Sequence, residues 1–264
     1  MVIKKNNISN FSCTLYRFKS LMIFVILVLS YNSVIGQEKV IQETVNIPEP
    51  LMFDLVRGLG AKQGELEINS LADFPLNNTS KRGIEWAPEI EYALFNNFAI
   101  EFELPFNNFE LEAYKMALQW TIGASKNNKF IHGIQFIGET YIHDDILELN
   151  FLYVPAYRFN EVWSAIGLFG VMFESGSDAP SKTNTIILNA SVFADLNEHT
   201  IVGIELNNSD SMNQKIDNNN MELLILPQVH YEFESGFSFQ FGAGPKFADN
   251  ETDASAVLRV IKTF

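Results

Sequence analysis

Cysteine is almost absent from this chain: Cys13 is the single one in 264 residues. It lies upstream of the cleavage point argued below, so the mature chain is expected to carry no thiol. That excludes disulfides, thiolate metal sites and a cysteine nucleophile. Long apolar runs are also absent. Beyond residue 36 none reaches 18 residues, whereas a helix needs ~20 to cross ~30 Å of hydrocarbon, so helical membrane spans are excluded. Basic residues are few, with 18 Lys+Arg against 32 Asp+Glu. Four of those bases (Lys4, Lys5, Arg17, Lys19) and no acid fall in residues 1–36, which leaves 14 against 32, or −18, for residues 37–264. A nucleic-acid partner would need a basic patch and is excluded. There is no glycine-rich phosphate loop. Gly242-Ala243-Gly244-Pro245 falls inside a strand pattern, where glycine marks a bulge.

What is present begins with a secretion signal. The basic N-terminus is followed by a nine-residue apolar run, Leu21 to Leu29, and then by small residues up to Gly36-Gln37. This predicts a signal peptide over 1–36, cleaved after Gly36. Residues 37–64 read as a periplasmic lead-in, since Pro48 and Pro50 disfavour a helix or a central strand.

From Glu65 onward the sequence alternates. Phe98, Ile100, Phe102, Leu104 and Phe106 share one face of a stretch whose other face holds Glu101 and Glu103. Period-two alternation in such segments, after a secretion signal, predicts an all-β fold: an up-and-down antiparallel transmembrane β-barrel of about 12 strands over 65–264. The strands are expected at about 65–73, 84–95, 98–109, 112–123, 129–141, 145–159, 162–174, 183–195, 199–207, 220–233, 236–248 and 253–264. Asn96-Asn97, Lys126-Asn127-Asn128, Asn160-Glu161, Asn197-Glu198 and Ser235-Gly236 make tight turns on one side. Longer connections at 74–83, 175–182 and 208–219 lie on the other. In outer-membrane barrels the short side is periplasmic, which also places Phe264 there. Twenty-three phenylalanines suit a lipid-facing wall and would be an aggregation hazard in water. Lipid is thus the expected surrounding, in the outer membrane of a Gram-negative bacterium.

The inward set is the candidate functional material: Glu85, Glu89, Glu91, Glu101, Glu103, Lys115, Gln119, Glu148, Arg158, Gln228, His230, Glu232, Lys246 and Arg259, together with Gln135, Glu139 and Glu205. Five glutamates on two adjacent strands repel by roughly 1 kcal/mol per pair at 4 Å in water, and by more in a drier interior. They must be hydrated, protonated, or paired with Lys115, Arg158, Lys246 and Arg259. Paired, they form a plug, as in other small barrels filled by side chains. Hydrated, they favour passage of cations.

Catalysis and metal binding find little support. A hydrolase needs serine, histidine and an orienting group brought together. His132, His143, His199 and His230 belong to no compact Ser/His motif, although His230 faces inward beside Glu232. His143-Asp144-Asp145 and Asp249, Glu251 and Asp253 offer oxygens without a defined ligand spacing. No cofactor and no metal site are expected.

Glu91-Tyr92-Ala93-Leu94-Phe95-Asn96-Asn97-Phe98-Ala99-Ile100-Glu101-Phe102-Glu103-Leu104-Pro105-Phe106 resembles the strand–turn–strand signature of a group of Gram-negative outer-membrane barrels, among them those labelled with the meta-pathway of phenol degradation. The tail from Phe241 to Phe264 resembles that group's final hairpin. The resemblance implies an outer-membrane barrel for small hydrophobic or aromatic compounds. It also implies that Phe264 is an assembly signal for the barrel assembly machinery. Lys262 departs from the pattern, because such tails usually carry a tyrosine or another hydrophobe two residues before the terminal Phe. The expected activity is passive passage or binding of a small solute. The alternatives are a closed-lumen structural or surface-interaction barrel and, more remotely, a lipid-active enzyme.

Overall fold

The computed structural model describes residues 45–53, 55–179, 184–208, 223–248 and 251–264. The expected signal peptide with Cys13, residues 37–44, Asp249 and most of the Asn-rich 208–219 connection lie outside the described residues. The described strands are β1 (Leu66–Pro75), β2 (Glu85–Phe95), β3 (Phe98–Glu103), β4 (Phe106–Asn107), β5 (Glu110–Leu111), β6 (Ala113–Ala124), β7 (Phe130–Tyr141), β8 (Leu147–Arg158), β9 (Trp163–Ser175), β10 (Asn184–Asp195), β11 (Thr200–Asn207), β12 (Leu223–Glu232), β13 (Phe237–Ala248) and β14 (Glu251–Thr263). β4 and β5 form a short hairpin that prolongs β3 and β6 beyond Pro105, so the wall has twelve antiparallel strands. β1 pairs with β2 on one side and with β14 on the other, which closes the barrel.

Turn chemistry sets the register at the short-turn end. Asn97 and Asn128 take positive φ (69° and 51°), a conformation asparagine tolerates better than most residues. The Asn160 and Asn197 side-chain oxygens each accept two backbone N–H groups of the following residues, those of Val162 and Trp163 and those of His199 and Thr200. At the other end, Asn77, Asn78 and Arg82 pin the 76–84 connection along the first residues of β14.

The outward face is apolar and exposed, as in Ile90, Trp120, Ile134, Phe151, Leu188, Phe239 and Phe241. Aromatic side chains gather at both rims. Trp86 stacks on Phe106 at 4.6 Å at the long-loop end, while Phe159, Trp163, Tyr231 and Phe233 ring the short-turn end. This band between two girdles is a lipid-facing surface. Gly242 to Pro245 form no bulge: β13 keeps one register with β14 from Phe237 to Ala248. The glycines serve close approach instead. A Cβ on Gly242 would meet Leu226 and Leu51, both at 2.9 Å.

The largest departure from the sequence reading concerns residues 45–64. The described residues from Val45 to Ala61 run inside the barrel rather than below it, while Lys62, Gln63 and Gly64 are exposed. The segment enters at the short-turn end, where the Asn46 carbonyl accepts from Arg158. It rises until the 51–53 amides meet Glu205 on β11. It then descends past Gln135, Gln119 and Thr121, and leaves by a backbone bond between Asn97 and Ala61.

The wall explains this course. The inward faces of β7 to β10 are largely apolar: Ile131, Ile137, Leu152, Val154, Ile166, Leu168, Met172, Ile187 and Phe193 are buried. Val45, Ile47, Phe53, Leu55 and Val56 pack against them. An open lumen would leave that half-wall facing water. At about 25 cal/mol per Å² of apolar surface, covering it is favourable.

Candidate functional site

The other half of the lumen is charged, and the inner segment faces it with Arg57 and Glu49. Glu89, Glu91 and Glu101 come from the neighbouring strands β2 and β3, and their carboxylate oxygens lie within 4.8 Å of one another. Two guanidinium groups supply the opposing charge. Arg259 of β14 reaches Glu89 at 3.1 Å and Glu91 at 3.3 Å, while Asn69 accepts from its Nε. Arg57 lies 3.4 Å from Glu65, 3.3 Å from Glu67 and 3.8 Å from Glu91. Glu49 stands 3.9 Å from Arg259, and its carboxylate also accepts the Gly58 amide. The carboxylates thus form an interlocked network with two arginines from different elements.

The remaining candidates take separate places. Lys115 pairs with Glu103 across the β3–β6 ladder. Gln119 donates to the Arg57 carbonyl. Glu148 accepts from Asn150 at 2.8 Å. Arg158 joins Asp195 at 2.7 Å at the short-turn mouth, away from the glutamate cluster. Gln228 bonds His230 at 2.8 Å and donates to Glu205 at 3.4 Å. Glu85 is half-buried at the outer end of β2, and Lys246 is buried on β13. Glu232 is exposed at the mouth. Phe264 is exposed and donates its amide to Leu66. Lys262 lies 5.0 Å and 5.1 Å over the rings of Phe237 and Phe264, and donates to the Ser235 carbonyl at 2.7 Å. Rings and carbonyl hold the ammonium at the interface, where a lysine stem packs among aromatics while its head stays wet.

The histidines are dispersed. His132 stacks on Phe130 and bonds Tyr153 on the outer face. His143 meets Glu110 in the outer loops. His199 lies against Tyr231. His230 is buried between Gln228 and Phe193. These surroundings do not form a nucleophile–base pair.

Sequence reasoning misses Arg57 altogether and the role of Glu205. Arg57 lay in a segment assigned outside the wall, so it was never a candidate partner for the glutamates. Glu205 was placed facing inward, but its role was not visible. It is fully buried and accepts the amides of Leu51 (3.0 Å), Met52 (3.1 Å) and Phe53 (2.7 Å). Three backbone donors on one carboxylate are charge-assisted bonds, stronger than neutral ones.

A cavity of about 390 Å³ remains between the inner segment and β12 to β14. It opens at the short-turn end. Glu49, Glu65, Glu67 and Glu232 line it against Arg57 and Lys62, with His230 and Gln240 on the wall. Above it Leu51 packs on Leu224, Leu226 and Val257.

Comparison with solved structures places this fold among outer-membrane porins and channels. A KdgM porin in complex with disordered oligogalacturonate is 10% identical, with a TM-score of 0.56 over 75% of this chain and 99% of that one. The COG4313 outer membrane channel from Pseudomonas putida F1 is 10% identical, with a TM-score of 0.57 over 78% and 97%. The NanC porin is 9% identical, with a TM-score of 0.55 over 74% and 98%. At such identities the likeness is one of fold. No relative matches among curated proteins. The likeness to porin-type barrels therefore holds, without singling out the phenol-degradation group. The HAEPLYID-like family model matches residues 43–263. The match spans nearly all of the described chain, which belongs to the HAEPLYID-like family.

Proposed function

We propose that the protein is an outer-membrane barrel for passive passage of a small polar solute, through a lumen narrowed by its own inner segment, Val45 to Phe53 and Leu55 to Ala61. The observation that carries this reading is the polar cavity left between the inner segment and β12 to β14 in a porin-like wall. Four carboxylates against two bases along its lining favour cations. The hydrophobic or aromatic solute implied by the family resemblance fits less well, because the apolar half of the lumen is covered by Val45, Ile47, Phe53, Leu55 and Val56. The solved porins support the fold of this reading and do not identify a solute.

Planar-bilayer recording of the folded, full mature chain tests it. Steady conductance with a cation-preferring reversal potential is expected. The second reading, a closed structural barrel using its outer loops as contacts, is favoured by the packing of Leu51 against Leu224, Leu226 and Val257, which caps the cavity. Silence from well-folded samples, with Leu51 in place and with it replaced by Ser, would favour it over passage. A lipid-active enzyme would instead release fatty acid from the surrounding bilayer, and the dispersed histidines lead us to expect none.

A further inference from the structure

We infer that residues 49–52 are an independently opening gate within an otherwise fixed inner segment, with Leu51 as its seal and Glu205 as its latch. This rests on the reading of the barrel as a passage.

The two sides of the inner segment are held very differently. Toward β7 to β10, five apolar side chains are buried in a continuous cluster with the wall. Val56 and Gly60 are further held through their amides by Gln135 and Thr121. Nothing in that half can leave without exposing both the segment and the half-wall it covers. Toward β12, β14 and β1 the contact is small. Leu51 is buried against Leu224, Leu226 and Val257, with Met52 and Leu71 only partly covered. Leu51 closes the apolar part of the lumen beyond the cavity, beside the buried ion pairs of Arg259 with Glu49, Glu89 and Glu91. Its fit is close, since Gly242 has no room for a Cβ beside it.

The attachment of this loop is equally concentrated. Proline lacks an N–H, so Pro50 offers no donor. The next three amides, those of Leu51, Met52 and Phe53, all go to one carboxylate. Gln228 steadies that carboxylate from β12 at 3.4 Å. The base of the loop is tied separately, by Glu49 to Arg259 and by Gln240 to the Glu49 carbonyl. Phe53 has its ring in the fixed cluster and its amide on the latch, so it forms the hinge. A loop whose base is anchored and whose apex has few buried contacts and a single carboxylate for its amides opens locally at that apex, at lower free energy than the whole structure.

The test uses Glu205→Gln, which keeps the shape and removes the charge, and Leu51→Ser, which removes the seal and keeps the latch. Hydrogen exchange by mass spectrometry on the folded barrel reads the latch. In Glu205→Gln the 51–53 amides should exchange about tenfold faster or more, as loss of a charge-assisted bond predicts, while those of Val56 and Gly60 keep their protection. Bilayer recording reads the seal: both variants should conduct more, or more often, than the parent. Unchanged exchange at 51–53, or deprotection of the whole 45–61 segment at once, would overturn the gate. Parent and variants conducting alike would overturn Leu51 as the seal while leaving passage intact. Faster exchange confined to 51–53 with silent bilayers throughout would uphold the latch and overturn the passage reading.

Discussion

Arg57 of the inner segment meets Glu67 of β1 at 3.3 Å, and both side chains are buried. The pair joins the segment to the first strand of the wall that follows it. Glu65 and Glu91 complete the surround of the guanidinium. A buried pair of this kind is weak evidence of net stabilisation, but removing one partner is costly because the other charge stays buried.

Replacing Arg57 with Met should therefore lower the stability of the folded barrel by about 3 kcal/mol or more. Lys62→Met, on an exposed residue of the same segment, should change it by about 0.5 kcal/mol or less. Denaturant midpoints and heat-modifiable gel mobility in detergent would measure both. Equal effects would mean that Arg57 does not hold the segment within the wall.

Phe102 and Glu103 test the phase of the wall. Phe102 lies on the outward face between Ile90 and Met116, and Glu103 is buried beside Lys115. Phe102→Arg should cost about 2–4 kcal/mol if it lies near the bilayer midplane, and less toward an interface. Glu103→Gln retains the shape of the side chain and leaves Lys115 opposite Glu139 in the β6–β7 register, so it should cost less. A larger loss from Glu103→Gln would reverse the assigned faces.

The wall was legible in the sequence because period two leaves no ambiguity when one face meets lipid. Glu89, Glu91, Ile90 and Tyr92 fell on their faces without any pairing information. The turns were legible for a similar reason, since Asn97, Asn128 and Gly236 answer a local demand for positive φ. The interior was legible only in part. Arg259 as a partner of the glutamates follows from charge balance, but Arg57 requires knowing that its own segment lies inside. Alternation is informative about a wall strand and silent about an irregular segment lying against it. The one available hint was the weak inward polarity of β9 and β10: an apolar inner wall in a polar barrel needs a cover, and Val45, Ile47, Phe53, Leu55 and Val56 provide it.

Processing of the N-terminus is a prediction from sequence alone. The nine-residue apolar run and the small residues before Gln37 predict a mature chain beginning at Gln37. Intact-mass measurement of the protein purified from the outer-membrane fraction would check this, and retention of Met1 or Cys13 would contradict it.

The glutamates at the centre of the network should govern stability rather than selectivity. Glu89, Glu91 and Glu101 are buried together, Glu89 and Glu91 are paired with Arg259 and Glu91 also with Arg57, and none of the three lines the cavity. Replacing all three with Gln removes the negative charge from between two guanidinium groups that stay buried. The expected loss is about 3 kcal/mol or more. At roughly 2–4 °C per kcal/mol for a domain of this size, the melting temperature should fall by about 6–12 °C. The reversal potential should barely move. Glu232→Gln should do the opposite, because its side chain is exposed at the mouth and lines the cavity. It should reduce cation preference and leave the melting temperature within a degree or two, in line with the small effects of surface substitutions. Measuring both quantities on both variants separates the two roles. If the triple substitution shifted the reversal potential and spared the melting temperature, the conducting path would run through the glutamate cluster instead of along β12 to β14.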